Sequence, residues 1–128
     1  MDQKIILLVE DDEAIRSSIA QVLEFENYKI IEAENGQVAL DILKELPPNE
    51  LPGLILLDMM MPIMDGKTFL ENVKAHHLDS FGKIPIIIAS ANTNFPNEID
   101  LPLVVERLKK PFDLDDLISK VEKYYSPS

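Results

Sequence analysis

The stretch LLDMMMPIMDG, residues 56–66, ends an apolar run on a carboxylate and then turns the chain. The run begins upstream, in LPGLILLD (51–58), and is typical of a strand that is covered on both faces of a sheet. Asp65-Gly66 is a turn signal and opens the next helical pattern. A buried strand has no structural need to end on a charge, so Asp58 indicates a function at the end of this strand.

Segments of the same kind recur and alternate with helical patterns. The other strand-like runs are KIILLVE (4–10), YKIIEAE (28–34), KIPIIIAS (83–90) and the weaker LVVERLKKPF (103–112). Apolar residues at helical spacing mark 12–26, 36–46, 65–77 and 114–125. Strands that alternate with helices predict an α/β protein with a parallel sheet. The second run alternates more between apolar and polar residues, and we expect it nearer an edge of the sheet.

Composition and charge restrict the kinds of partner. The chain has 128 residues, a net charge of −11 and no cysteine. We expect one domain over 1–128, with a core over about 4–125. An acidic surface repels phosphate backbones and anionic membranes, so direct binding of nucleic acid or membrane is not expected. The N-terminal apolar run is too short for a signal or transmembrane segment, which predicts a soluble cytoplasmic protein.

Polar residues stand at the carboxyl ends of the strand-like runs, where open α/β sheets bind ligands. They are Glu10-Asp11-Asp12, Asp58, Ser90-Ala91 and Lys110-Pro111. Clustered carboxylates repel one another unless a cation neutralises them, and oxygen ligands suit Mg²⁺ or a similar hard ion. Such a set can hold a phosphoryl group: the metal and the lysine take its charge while a carboxylate oxygen attacks phosphorus. Asp58 belongs to a central strand and is the best candidate nucleophile.

Each of these residues also has a purely structural interpretation. The acids at 10–12 can favour the start of the next helix, with Asp12 as its cap. Asp58 alone can be a turn residue, Ser90 a strand-end hydroxyl and Lys110 a solvated lysine. Their joint position at separate strand ends favours a site over these separate roles.

Four segments in this order, ILLVEDDEAIR, LLDMMMPIMDG, PIIIASA and KKPF, resemble the response-regulator receiver domain of two-component signalling. The resemblance runs from Lys4 to about Tyr125. It implies a CheY-like, flavodoxin-like doubly wound sandwich with five parallel strands in the order 2-1-3-4-5. No effector segment follows the last helical pattern, which resembles single-domain regulators, although a piece of a longer protein would look the same.

The resemblance implies roles for the residues that match the family motif. Asp58 matches the aspartate that is phosphorylated. Ser90 matches the hydroxyl that binds a phosphoryl oxygen, and Ala91 matches the small neighbour that leaves room for it. Lys110 matches the lysine that pairs with the phosphoryl group, and its bond to Pro111 is expected to be cis.

The same resemblance implies a metal site and partners. Glu10 and Asp11 match the acidic pair that holds Mg²⁺, with Mn²⁺ as the alternative, and the spacing from Asp11 to Arg16 supports this register. Asp58 and the backbone carbonyl of Met60 would complete the set of protein ligands. Expected partners are a sensor histidine kinase or a phosphotransfer protein, and a downstream protein that the sequence does not identify.

Two features depart from the family pattern. Arg107 stands three residues before Lys110, where receivers usually carry Tyr or Phe, so an aromatic switch of the usual kind is in doubt. The segment between Ser90 and Lys110 is short and holds Pro96 and Pro102, which predicts a short or irregular fourth helix.

Three hypotheses about function follow. The leading one is a binding module, not an enzyme acting on other substrates, that is switched by Mg²⁺-dependent phosphorylation of Asp58. The second is a receiver-like adaptor that binds its partners without phosphorylation, which Arg107 favours. The third is a phosphatase with an aspartyl-phosphate intermediate. Haloacid-dehalogenase-like enzymes carry a second aspartate two residues after the first, but here that position is Met60.

Overall fold

The computed structural model of the protein describes residues 4–59, 63–75, 83–90 and 104–126, with Ser90 described by its backbone alone. Its strands are β1 (Lys4–Val9), β2 (Tyr28–Ala33), β3 (Leu54–Asp58), β4 (Ile86–Ser90) and β5 (Val104–Lys109). Its helices are α1 (Glu13–Phe25), α2 (Gly36–Glu45), α3 (Gly66–Ala75) and α4 (Leu114–Tyr124), with a 3-10 turn at Pro48–Glu50. The expected irregular fourth helix falls on residues 91–103, which lie outside the described residues.

The five strands form one parallel sheet in the order β2-β1-β3-β4-β5. This confirms the predicted parallel sheet and the strand order that the family resemblance implied. β2 lies at an edge, in agreement with its more alternating sequence. The register pairs Val9 of β1 with Leu57 of β3, and Asp58 with Ala89 of β4. The residues that follow β1 and the end of β3 therefore lie side by side at one edge.

The core consists of two apolar layers, one on each face of the sheet. Alternate strand residues pack against α2 and α3 on one face, among them Leu7, Val9, Ile55 and Leu57. The residues between them pack against α1 and α4 on the other, among them Ile6, Leu8, Leu54 and Leu56. Every side chain of β3 is consequently buried, which explains why its sequence is continuously apolar up to Asp58.

Aspartates at the helix starts confirm that part of the acidity is structural. Oδ1 of Asp12 accepts a hydrogen bond from the amide of Ile15 at 2.9 Å, so Asp12 caps α1. Oδ1 of Asp65 accepts from the amide of Thr68 at 2.8 Å at the start of α3. Asp113 occupies the N-cap position of α4, but its side chain makes no capping hydrogen bond. Asp12 is thereby assigned to the helix and stands apart from the carboxylates of the site.

The helix ends also follow local signals. α2 stops at Glu45 because Leu46 precedes Pro47 and adopts an extended conformation. α1 is the longest helix of the described ranges, with 13 residues. None of the helices in these ranges is both long and apolar enough to cross a membrane.

Candidate functional site

Three carboxylates meet beyond the ends of β1 and β3. Glu10 and Asp11 follow β1 directly, and Asp58 is the last residue of β3. Each of them offers one oxygen, and these oxygens all lie within 4.8 Å of one another. Glu10 is 2% and Asp58 6% exposed, whereas Asp11 is exposed. The structure thus brings together the three carboxylates expected to hold a metal ion.

The ammonium of Lys110 reaches into this cluster from the end of β5. Its Nζ donates a hydrogen bond to Oε1 of Glu10 at 2.6 Å and lies 3.4 Å from Oδ2 of Asp58. The Lys110-Pro111 peptide bond is cis, as the family resemblance implied. Lys110 therefore lies at the position where it can neutralise both buried carboxylates.

Burial and the neighbouring charges act in opposite directions on these groups. Burial, and then the adjacent Asp58 carboxyl, raise the pKa of Glu10 above the ordinary 4.5, although Lys110 works against this. Burial by itself would lower the pKa of Lys110, but its contacts with Glu10 and Asp58 outweigh that effect, so the pKa of Lys110 is raised. The lysine stays charged, while the glutamate carries its charge at a cost.

One oxygen of the cluster has unused hydrogen-bonding capacity. Oε2 of Glu10 is buried and, among the residues that the structure describes, makes no hydrogen bond. A buried carboxylate oxygen of this kind is unfavourable unless a donor or a cation satisfies it. Three carboxylates whose oxygens lie this close together, with an unsatisfied oxygen on one of them, fit a hard divalent cation such as Mg²⁺, which prefers oxygen ligands and keeps several waters. The residues present therefore fit the metal that the sequence led us to expect.

Arg16 contacts this site in a way that sequence reasoning missed. Its Nη1 donates to the backbone carbonyl of Glu10 at 2.8 Å, and its Nε donates to Oε1 of Glu32 at 3.2 Å. In the sequence, Arg16 served only to align the acidic pair with the family motif. The available signal was its position in the first turns of α1, one helical turn beyond Asp12, which places it close to the end of β1.

Two glycine amides donate to backbone carbonyls near the end of β3 and the start of α3. The amide of Gly66 donates to the carbonyl of Met59 at 3.1 Å, and a Cβ on Gly66 would lie 2.7 Å from the Cα of Met59. The amide of Gly36 donates to the carbonyl of Met64 at 3.3 Å. Glycine at position 66 thus lets α3 approach the end of β3. Met60 lies outside the described residues, so its expected role as a metal ligand remains a prediction.

The remaining residues of the expected phosphoryl pocket are only partly described. The backbone of Ser90 ends β4 and pairs with Lys109 of β5, which places it at the same edge of the sheet as Asp58. Ala91 lies outside the described residues. The expected contacts of Ser90 and Ala91 with a phosphoryl group stay predictions. Arg107 lies in β5 and is exposed.

An open apolar groove of about 480 Å³ runs beside the carboxylates, between the first turns of α1 and the start of α4. Its lining residues are Ala14, Ile15, Ser18, Ile19, Lys110, Pro111, Phe112 and Leu114. Ile15 and Leu114 are each 41% exposed, so the groove presents large apolar side chains to solvent. Because Lys110 belongs to both the groove and the carboxylate cluster, a protein that binds in the groove would lie next to Asp58.

A parallel α/β sheet with carboxylates and a lysine at its carboxyl edge defines a class of protein that binds a charged ligand there. The family model described as the response regulator receiver domain matches residues 6–122. The chain therefore belongs to the response regulator receiver family of two-component signalling. Receiver domains are signalling modules and not enzymes of the usual kind.

Individual relatives agree with this assignment. The chain is 35% identical over 124 residues to sporulation initiation phosphotransferase F of Bacillus subtilis, covering 97% of this chain and 94% of that protein. It is 35% identical over 120 residues to the response regulator receiver protein CpdR of Brucella abortus, covering 94% and 95% of the two chains. Among solved structures, response regulator TrrA of Thermotoga maritima, in complex with Mg²⁺-BeF, matches with a TM-score of 0.78 and 28% identity, covering 94% of this chain and 98% of that one.

Proposed function

We propose that the protein accepts a phosphoryl group on Asp58, with Mg²⁺ bound beside it, and thereby switches its interactions with other proteins. The observation that carries this proposal is the cluster of Glu10, Asp11 and Asp58, whose oxygens lie within 4.8 Å, with Lys110 among them. Membership of the receiver family and the Mg²⁺-BeF complex of TrrA support the same reading.

The metal would be held by the carboxylates of Glu10, Asp11 and Asp58, with the backbone carbonyl of Met60 as a further ligand. Once bound, Mg²⁺ would supply positive charge for the phosphoryl oxygens, and Mn²⁺ is the alternative ion. The unsatisfied Oε2 of Glu10 supports this assignment, because a cation there would remove the cost of burying it. Asp11 is exposed, so its carboxylate stays hydrated until an ion binds and carries no cost of burial before then.

In this proposal the phosphoryl group passes directly from the donor to the carboxylate of Asp58. A carboxylate oxygen of Asp58 forms a bond to phosphorus as the bond between phosphorus and the donor's leaving group breaks. Lys110 turns from Glu10 toward the new phosphoryl oxygens, which carry more negative charge than the glutamate. Ser90 would donate a hydrogen bond to one of those oxygens, and Ala91 would leave space for them. The added charge would shift the population of a conformer that binds the downstream protein.

The physiological phosphodonor would be a sensor histidine kinase or a phosphotransfer protein, the kinds of protein from which receiver domains take phosphoryl groups. The apolar groove with exposed Ile15 and Leu114 supports a protein donor, because it adjoins Lys110 and offers apolar surface beside the reacting carboxylate. The downstream partner is an unidentified protein. The cytoplasmic location and the single-domain organisation over 1–128 remain parts of this proposal.

A phosphorylation-independent adaptor is not favoured. Such a protein would have no use for Glu10 and Asp58, two buried carboxylates at one strand edge, or for a lysine held between them. Burying two carboxylates side by side costs stability even with a lysine between them, so their presence favours the phospho-acceptor.

The test is phosphoryl uptake followed by intact mass. The protein is mixed with Mg²⁺ and a small acyl-phosphate donor, and we expect a gain of one phosphoryl group that a chelator prevents. Asp58→Asn should take up none. Asp12→Asn is the matched control, because it makes the same chemical change two residues from Glu10 while an asparagine can still cap α1. Equal uptake in Asp58→Asn and in the wild type would refute the proposal.

A further inference from the structure

Arg16 joins the start of α1 to the ends of two strands. Its Nη1 donates to the carbonyl of Glu10 at 2.8 Å, beside the end of β1, and its Nε donates to Oε1 of Glu32 in β2 at 3.2 Å. The side chain of Arg16 is 16% exposed and that of Glu32 is 45% exposed. The contact with the Glu10 carbonyl is therefore the better protected of the two, and the ion pair with Glu32 is open to water.

The backbone of Glu10 is held on both sides by this arrangement. Its amide donates to the carbonyl of Ala33 at 3.0 Å, and its carbonyl accepts from Arg16. These two bonds hold the peptide groups on either side of the Glu10 Cα, and so the point from which its side chain starts. They also determine how the chain enters Asp11, the next carboxylate of the cluster. Arg16 thus contacts the peptide group that joins Glu10 to Asp11, the next carboxylate in the chain.

We infer that Arg16 is a positioning residue for the cation site, acting through the carbonyl of Glu10. The inference rests on the proposed function, because it concerns the affinity for the ion that phosphorylation requires. Positioning predicts that loss of the guanidinium weakens cation binding, since the chain carrying Glu10 and Asp11 becomes free to move. Coulomb repulsion between the guanidinium and the ion predicts the opposite, since removing a nearby positive charge favours a divalent cation. The two effects change the Mg²⁺ affinity in opposite directions, so the measured direction distinguishes them.

The experiment is calorimetric titration of the full chain with Mg²⁺ alone, well below its unfolding temperature. Arg16→Met should raise the dissociation constant roughly tenfold, the range typical of groups that orient metal ligands. Lys44→Met, at an exposed position in the last turn of α2, also removes one positive charge. It should change the dissociation constant for Mg²⁺ by less than about twofold. Glu32→Gln should also stay within about twofold, because an exposed ion pair contributes little. An unchanged or lower constant for Arg16→Met would overturn the inference.

Arg16→Lys covers the case in which Arg16→Met does not fold. Lysine keeps the charge, but its ammonium lacks the planar fork with which the guanidinium contacts the Glu10 carbonyl and Glu32 at once, so we expect the constant to rise roughly two- to fourfold. No change in Arg16→Lys would then contradict the inference. A wild-type protein that takes up no Mg²⁺ would refute the proposed function and the inference together. A wild type that binds Mg²⁺, with variants that bind it equally well, would refute the inference alone.

Phosphorylation kinetics give a second readout that a general structural defect would not reproduce. With a small acyl-phosphate donor, Arg16→Met should raise the Mg²⁺ concentration needed for half the maximal rate by the same factor as the dissociation constant. The rate at saturating Mg²⁺ should remain within about twofold of the wild type. A lower saturated rate with an unchanged Mg²⁺ requirement would contradict positioning.

Discussion

The ammonium of Lys110 lies 2.6 Å from Oε1 of Glu10 and 3.4 Å from Oδ2 of Asp58, so its closer partner is the glutamate and not the candidate nucleophile. This arrangement leaves one oxygen of Glu10 buried and unsatisfied within the described residues. The ammonium of Lys110 is thus shared between two buried carboxylates. A cation and a phosphoryl group would redistribute that charge, which links the stability of the protein to its ligands.

Glu10→Gln is expected to raise the free energy of unfolding of the metal-free protein at neutral pH. The folded state raises the pKa of Glu10 above 4.5, mainly through burial, so it holds this proton more tightly than the unfolded chain does. The stability that neutral Glu10 contributes is complete below the unfolded pKa and is lost as pH rises through the folded pKa. Glutamine keeps the neutral form at every pH, and the two proteins should converge at about pH 4.

Urea unfolding in a chelator, at about pH 4 and about pH 7, measures this difference. Mg²⁺ should make the wild type the more stable of the two proteins. At a Mg²⁺ concentration of 100 times its dissociation constant, the wild type gains about 2.7 kcal/mol, and Glu10→Gln, which has lost a metal ligand, gains less. If Glu10→Gln is less stable than the wild type in chelator at neutral pH, burial of the ionised Glu10 carboxylate does not destabilise the folded protein as proposed.

Lys110→Met is expected to lower the free energy of unfolding by about 1–3 kcal/mol at neutral pH without metal. The reason is that Glu10 and Asp58 are buried and would lose their shared cation. Mg²⁺ should recover part of the loss by taking over that charge. Lys109→Met is the matched control, since the adjacent lysine is exposed and its removal should cost less than about 0.5 kcal/mol. Equal effects at 109 and 110 would contradict this account.

Ile15→Ala is expected to slow phosphoryl transfer from a phosphohistidine-bearing phosphotransfer protein roughly tenfold. Ile15 is 41% exposed in the groove beside Lys110, where it offers apolar surface to a docking protein. Transfer from a small acyl phosphate needs no such surface and should be unaffected. Phe25→Ala serves as control, because Phe25 is 89% exposed at the other end of α1. Transfer rates from both donors would be compared by intact mass, and a loss with the small donor as well would point to damage at the site itself.

Tyr28→Phe is expected to cost about 1 kcal/mol at neutral pH through loss of one buried hydrogen bond. The hydroxyl of Tyr28 donates to the backbone carbonyl of Tyr125, while the hydroxyl of Tyr125 accepts from the amide of Ile5 at 3.1 Å, so the two tyrosines join the end of α4 to β2 and β1. Burial, with smaller effects of Glu122 and Tyr125, raises the pKa of Tyr28 from 10.0 to about 12.

The pH dependence has a definite sign. A raised folded pKa means that the stability from neutral Tyr28 is complete below pH 10.0 and is lost as pH rises toward about 12. The variant lacks this titration, so the stability difference between the two proteins should shrink over that interval. Denaturant unfolding of both proteins at about pH 8 and about pH 11 measures it, and a constant difference would refute the role of Tyr28.

Much of the fold was readable in the sequence because burial leaves a local trace. Strands covered on both faces are continuously apolar, as the buried β3 confirms, and the turn at Asp65-Gly66 marks the start of α3. Proline after Leu46 ends α2 by a purely local steric effect. The sheet order needed more than local pattern, and it followed from the family resemblance. Asp113 shows the limit of local signals, since it takes the cap position of α4 but makes no capping bond.

The sequence by itself determined which charged groups would gather: Glu10, Asp11, Asp58 and Lys110 each follow or end a strand, and parallel strands end at one edge. Only the tertiary structure decided how those groups divide their contacts. Lys110 meets Glu10 across 100 positions of the chain, and Arg16 holds the Glu10 carbonyl and not a carboxylate of the cluster. Distances of this kind depend on strand register and on the path of each side chain through the packed core, and these are set by all the neighbours together.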